Sequence, residues 1–295
     1  MAVNARNGLL KLTSRWNNEA VLNPKEILIL NLMPTKEATE WQFLQRLHET
    51  GIDCTVTFLY PATHHFRHAG GERIKQHYIC LDQIRQRCFD GLIITGAPVE
   101  CLPFEAVDYW DEFKQIVEWA HDHVKSIIYE CWAAQAGLWN DFGLYECWAA
   151  QAGLWNDFGL PKQKMSHKLF GVYQGTASCD SALLKDLNTI KIPQSRHTKV
   201  ELPKQLPAGL KILAANQTID PLIYQADEGH SIYITGHPEY SADTLDNEYQ
   251  RDQQKGLAIQ PPKNYYVDQN HLDIDYSWRQ PGIQLYRNWL NSLAG

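Results

Sequence analysis

Four short apolar runs separated by amphipathic stretches limit what the first half of this chain can become. They are Ile27 to Met33 (ILILNLM), Thr55 to Tyr60, Leu92 to Thr95 and Val124 to Tyr129, each followed by Pro, Gly or a polar residue. Apolar runs without alternation are buried on both faces, as parallel strands are when helices cover them. The segments between them carry helical periodicity. After Thr35 as an N-cap, Ala38, Trp41, Leu44 and Leu47 fall on one face, and after Asp108 so do Phe113, Ile116, Val117 and Ala120. This alternation predicts right-handed βαβ units in an open, mostly parallel α/β sheet flanked by helices. Further apolar runs follow at Leu210 to Ala214 and Ser231 to Thr235, with helices over about Ser241 to Gly256 and Ile283 to Leu293. Pro261-Pro262 punctuates a polar, Tyr-rich segment that reads as a loop packed on the surface. No Ser/Gly-rich linker divides the halves, so residues 24–295 read as one domain behind a divergent segment, residues 1–23.

Residues Tyr129 to Leu144 (YECWAAQAGLWNDFGL) are repeated without change as Tyr145 to Leu160. Solenoid repeats drift in sequence and recur at least about three times, so this is a local duplication inside one domain, not an array. Lys plus Arg number 27 against 34 Asp plus Glu, for a net charge of -7, and the basic residues form no cluster. That excludes a general nucleic-acid binder, whose affinity rests on clustered cations. No apolar run approaches the roughly 18 residues that cross a bilayer, and the first residues lack a signal-peptide core, so a cytoplasmic protein is expected. Seven cysteines (Cys54, Cys80, Cys88, Cys101, Cys131, Cys147 and Cys179) form no CxxC pair and read as reduced thiols.

In open α/β sheets, ligands sit beyond the carboxyl ends of the strands. After VKSIIYE comes Cys131 and then WAAQAG, whose small residues permit a tight strand-to-helix turn. A thiol held there is activated by the helix N-terminus. Glu130 stands directly before it, and a carboxylate facing a thiol raises its pKa. After SIYIT comes Gly236-His237-Pro238-Glu239, which supplies a base and a carboxylate to orient it. After FDGLIIT comes Gly96-Ala97-Pro98-Val99-Glu100, a loop whose backbone N–H groups can approach an oxyanion. On spacing alone, Glu100, Ser195, Arg196, His197 and Arg251 are ordinary surface residues. His64, His65 and His68 include an i, i+4 pair, but no carboxylate or Cys nearby in sequence completes a metal site, and no metal is expected.

ILILNLMPTK (27–36), FDGLIITGAPVE (89–100), VDYW (107–110), ECWAAQAG (130–137), KLFGV (168–172), SRHT (195–198) and TGHPEY (235–240) occur in one order. Together they closely resemble the homoserine O-acyltransferases of methionine biosynthesis, a family that includes homoserine O-succinyltransferases and O-acetyltransferases. The resemblance runs from about residue 24 to the end. It implies a class I glutamine amidotransferase-like α/β fold and, from family membership, a homodimer. It places the acyl-thioester cysteine in CWAAQAG, at Cys131 or alternatively Cys147, and the catalytic pair at His237 and Glu239. Substrate contacts fall on Lys168, Ser195 and Arg251. The position that governs acyl-CoA choice falls on Glu100, and in this family Glu there goes with acetyl-CoA and Gly with succinyl-CoA.

The expected activity is therefore a ping-pong O-acetyl transfer from acetyl-CoA to L-homoserine with no resident cofactor, the oxyanion held by the Trp132 N–H and the Gly96-Ala97 loop. L-Serine is the alternative acceptor. A glutamine amidotransferase would share the Cys, His and Glu layout but carries a Gly-rich turn where Tyr129-Glu130 stands. A non-catalytic binding protein of the same fold is the remaining reading, suggested by the duplication alone. Between the two cysteines, Cys131 is preferred because the apolar Val124 to Glu130 precedes it, whereas NDFGLYE before Cys147 makes a poor buried strand.

Overall fold

The structure, a computed structural model, describes residues 2–66, 70–97, 99, 102–130, 149–187, 189–268 and 270–294. Its strands are β1 Val3–Ala5, β2 Lys25–Leu30, β3 Cys54–Leu59, β4 Phe89–Ile94, β5 Val124–Glu130, β6 Lys162–Ala177, β7 Ile190–Val200, β8 Lys211–Ala215, β9 Ile223–Ala226 and β10 Ser231–Ile234. Its helices are α1 Leu9–Leu12, α2 Lys36–Glu49, α3 Gly71–His77, α4 Trp110–His123, α5 Ala149–Phe158, α6 Thr244–Gln254 and α7 Arg279–Ser292. The strands form one sheet in the order β1-β3-β2-β4-β5-β10-β9-β8-β6-β7. From β1 to β10 the neighbours are parallel. Beyond β10 the sheet continues antiparallel.

Successive side chains of a strand point to opposite faces, and both faces of this sheet are covered. Ile27, Ile29 and Ile93 pack with Phe43, Leu44 and Leu47 of α2 and with Leu285, Tyr286 and Trp289 of α7. Leu28, Leu30, Leu92 and Ile94 pack on the other side with Phe113, Ile116 and Val117 of α4 and with Ala149, Ala150 and Leu154 of α5. Each such aliphatic side chain contributes roughly 1.5–3 kcal/mol by leaving water, which is why the runs are apolar throughout.

Local details depart from expectation where tertiary packing outvotes periodicity. Trp41, expected on the apolar face of α2, is 41% exposed and lies edge-on to Trp16 at 5.7 Å. Phe43, roughly 200° further around the helix, enters the core instead. Thr35 occupies the N-cap position of α2, but its side chain makes no capping bond. Helix α4 starts at Trp110, and Asp108 before it turns to the histidines. Its carboxylate lies 3.1 Å from His64 Nδ1 and accepts the His65 N–H at 2.8 Å. A carboxylate therefore does reach His64 and His65, from 44 and 43 residues away in sequence. His68 lies outside the described residues.

The antiparallel extension through β6, β7 and β9 was not legible, because strands such as KQKMSHK in β6 are polar and largely solvent-facing. The Pro261-Pro262 segment is docked more tightly than a surface loop. The Lys263 N–H donates to Phe170 O at 3.0 Å, and the Val172 N–H donates to Lys263 O at 2.8 Å. Between them Gly171 has φ of 137°, and a Cβ there would overlap the Lys263 backbone, so only glycine fits. The parallel strands β2, β4, β5 and β10 all end at one edge of the sheet, and the chemistry gathers there.

Candidate active site

Strand β10 lies beside β5 with Ile234 opposite Glu130, so the turn Gly236-His237-Pro238-Glu239 leaves the sheet next to the end of β5. Gly236 is required, since a Cβ there would overlap the Gln194 side chain. The His237 N–H donates to Pro193 O at 2.9 Å, and its ring stacks on Tyr240 at 4.2 Å and 6°. His237 and Glu239 are both buried, and Nδ1 lies 3.2 Å from Glu239 Oε1. Nε2 meets no hydrogen-bond partner among the described residues. Burial, aided by the Arg196 charge, pushes the imidazole well below its ordinary value. It is therefore neutral near pH 7, with one nitrogen bonded and the other open to accept a proton.

The side chain of Glu130 is committed to this cluster. Its two carboxyl oxygens accept the Tyr286 hydroxyl at 2.6 and 2.5 Å. It also accepts the backbone N–H of Glu239 and is hydrogen-bonded to the Glu239 carboxyl. Burial first, and then the facing Glu130, push Glu239 well above the carboxylate range. Glu130 is itself raised, by burial. Glu130 thus forms a buried carboxyl pair with Glu239 beside His237, and the Cys131 thiol that it is expected to face lies outside the described residues.

The predicted substrate residues converge on a second buried group. Lys168 Nζ donates to Glu248 Oε1 at 2.5 Å and to Asp252 Oδ2 at 3.3 Å, and Ser195 Oγ donates to the same Glu248 oxygen at 2.8 Å. Arg251 Nε donates to Asp252 Oδ1 at 2.7 Å, and its Nη2 is 3.5 Å from Glu248 Oε1. Burial works against the Glu248 charge, but Lys168 and then Arg251 hold it below the usual carboxylate range. Burial and the Lys168 charge push His197 down to about 4. Strand β7 links the two groups: Pro193 holds the His237 backbone, and Ser195, two residues on, faces Glu248.

Sequence reasoning missed Tyr286, Glu248 and Asp252, and read Glu130 only as a neighbour of the thiol. On α6, Glu248, Arg251 and Asp252 have the i, i+3, i+4 spacing of a solvated charged face, and nothing local marks them as buried. It also missed Lys36, whose Nζ donates to Asn31 O at 2.5 Å and which burial pushes down to about 7. Cys131, Cys147 and Glu100 lie outside the described residues. Their flanks are informative. β5 ends on Glu130, directly before the first copy's cysteine, whereas α5 is built from the second copy and begins two residues after Cys147. In α5, Gln151 Oε1 accepts the Thr198 hydroxyl at 2.8 Å, and a Cβ on Gly153 would strike the rings of Tyr129 and Tyr233.

A half-parallel sheet with chemistry at its strand ends defines the class I glutamine amidotransferase-like α/β fold. A glutamine amidotransferase from Thermotoga maritima superposes with a TM-score of 0.57, covering 92% of this chain and 99% of that one at 11% identity, which bears on the fold alone. Within that class the chain belongs to the homoserine O-succinyltransferase family, whose pattern matches residues 4–146 and again 141–294. Each match contains one copy of CWAAQAG. The homoserine O-acetyltransferases of Lachnoclostridium phytofermentans and Geobacillus kaustophilus are each 39% identical to it. Both alignments cover 92% of this chain, and 86% and 85% of those proteins.

Proposed function

We propose that this protein transfers the acetyl group of acetyl-CoA to the hydroxyl of L-homoserine through a cysteine thioester. The observation that carries this reading is the buried neutral imidazole of His237, bonded at Nδ1 and without a partner at Nε2 among the described residues, on the sheet edge where β5 runs into the CWAAQAG motif. The relatives named homoserine O-acetyltransferase supply the substrates. His237 Nε2 takes the proton of the cysteine thiol as its sulfur attacks the thioester carbonyl, and gives that proton to the departing CoA sulfur when the tetrahedral oxyanion collapses. His237 Nε2 then takes the proton of the homoserine hydroxyl as its oxygen attacks the acetyl-enzyme, and returns it to the departing cysteine. The Gly96-Ala97 turn beyond β4 is proposed to offer N–H groups to the oxyanion. The nucleophile is proposed as Cys131. Cys147 is the alternative that the position of α5 favours. The reaction needs no resident cofactor or metal, and the enzyme is proposed to work as a cytoplasmic homodimer.

The test is CoA release from acetyl-CoA and, separately, from succinyl-CoA, with L-homoserine, L-serine and glutamine as acceptors. Turnover is expected with acetyl-CoA and homoserine. Serine alone as acceptor would move the enzyme to another substrate, and release with none would remove the reading. Glu100, carried over as the acyl-selecting residue, repels the distal carboxylate of succinyl-CoA. Like charges a few ångströms apart in a low-dielectric pocket cost enough for about a hundredfold preference. Glu100→Gly is expected to relax or invert that preference, and equal use of both donors by the unaltered enzyme would refute the assignment.

Arg251 is proposed to bind the acceptor's carboxylate, its guanidinium being held in place by Asp252. Arg251→Lys loses the planar fork, so KM for homoserine should rise at least tenfold with KM for acetyl-CoA little changed. Equal rises in both would count against that role.

A further inference from the structure

Two carboxyl groups in direct contact cannot both be ionised when neither reaches water. Glu130 and Glu239 are such a pair. They are 0% and 1% exposed and hydrogen-bonded to each other, and Glu239 Oε2 meets no hydrogen-bond donor among the other described residues. The surrounding groups favour a particular arrangement. From α7, Tyr286 donates its hydroxyl to Glu130, and the Glu239 backbone N–H donates to it as well. From α2, the Arg46 charge acts on both carboxyls. From β7, Arg196 acts on His237, and Glu239 Oε1 faces His237 Nδ1. The Tyr286 hydroxyl and the Glu239 N–H thus gather on Glu130, which suits the anion, while the Glu239 carboxyl has His237 on one side, an acceptor on the other, and its own backbone N–H as a further donor.

We infer that Glu130 is a positioning residue for the histidine: it shares one proton with Glu239, so that His237 is oriented by a neutral acid and the compensating charge sits one carboxyl further away. The inference rests on His237 being the base of the proposed reaction. In this arrangement Glu239 donates its O–H to Glu130 and accepts the Nδ1–H of His237 on its other oxygen. That fixes the tautomer with the lone pair on Nε2. When Nε2 takes the substrate proton, the imidazolium is balanced by the single negative charge spread over the pair. A carboxylate touching the ring directly would raise its basicity further and leave it protonated at higher pH.

The experiment measures kcat and kcat/KM for the acceptor across pH in Glu130→Gln, Glu239→Gln and Tyr286→Phe. It adds the infrared band of protonated carboxyl groups at neutral pH for each variant and the unaltered enzyme. Glu239→Gln, which mimics a neutral acid, should lose less than about tenfold in kcat, where an orienting anion replaced by its amide costs about ten-thousandfold. Glu130→Gln leaves Glu239 to ionise against His237, so the acid limb of the profile should move up by about one pH unit or more. One protonated-carboxyl band should vanish in both Gln variants. Tyr286→Phe withdraws a donor from Glu130 and should shift the limb the same way by less, which keeps the test open if Glu130→Gln does not fold. A thousandfold loss in Glu239→Gln, an unmoved acid limb in Glu130→Gln and Tyr286→Phe, or a band that survives in either Gln variant overturns the inference. Absence of any acyl transfer in the unaltered enzyme would count against the proposed function instead, and the infrared band would still decide whether the proton is shared.

Discussion

His237→Ala is expected to lower turnover about ten-thousandfold or more with any acceptor, the loss typical of a base that acts as one unit with its nucleophile. The imidazole is fully buried, is pushed well below its ordinary value by burial, and has one nitrogen committed to Glu239. Its other nitrogen is neutral and meets no partner among the described residues, which is the state a general base needs before it takes a proton. Because Pro193 O accepts the backbone N–H of residue 237, a bond that the substitution keeps, removal of the side chain should leave the turn in place. Thermal unfolding, measured in parallel, separates a chemical loss from a folding one. Near-normal turnover by a folded His237→Ala variant would sink the assignment of this residue as the base.

Incubation with acetyl-CoA alone should add one acetyl group to the protein, and Cys131→Ser should abolish that adduct while Cys147→Ser retains it. Intact-protein and peptide mass spectrometry read the result directly. The argument for Cys131 is that β5 is a central strand, paired with β4 on one side and β10 on the other, and that it ends on the residue before this cysteine. A nucleophile elbow needs both a strand end and a helix start. Among the described residues the strand end belongs to copy one and the helix beside it, Ala149–Phe158, to copy two. Loss of the adduct only in Cys147→Ser would assign the chemistry to the helix-borne copy. Loss in neither variant would remove the covalent mechanism.

The buried parallel strands, the helices that cover them and the strand-end position of His237 and Glu239 were readable from local pattern. Burial on both faces demands an unbroken apolar run, and a tight turn after such a run demands Gly and small residues. Trp41 shows the limit of that reading. Helical spacing permits two faces on α2, and only the fit of Phe43 against the sheet chooses between them. The polar strands β6 and β7 carried no burial signal, although they frame the Lys168, Ser195 and Glu248 group.

What the chain determined by itself is therefore its layer architecture and the strand-end placement of the proposed base, because each follows from contacts between near neighbours and from backbone geometry. What only the tertiary structure decided is which charges meet in the interior. Tyr286 stands 156 residues from Glu130, and Glu248 stands 80 from Lys168. No local spacing links such partners. Their ionisation depends on how completely water is excluded around them, a property of the assembled sheet and helices and not of any segment within it.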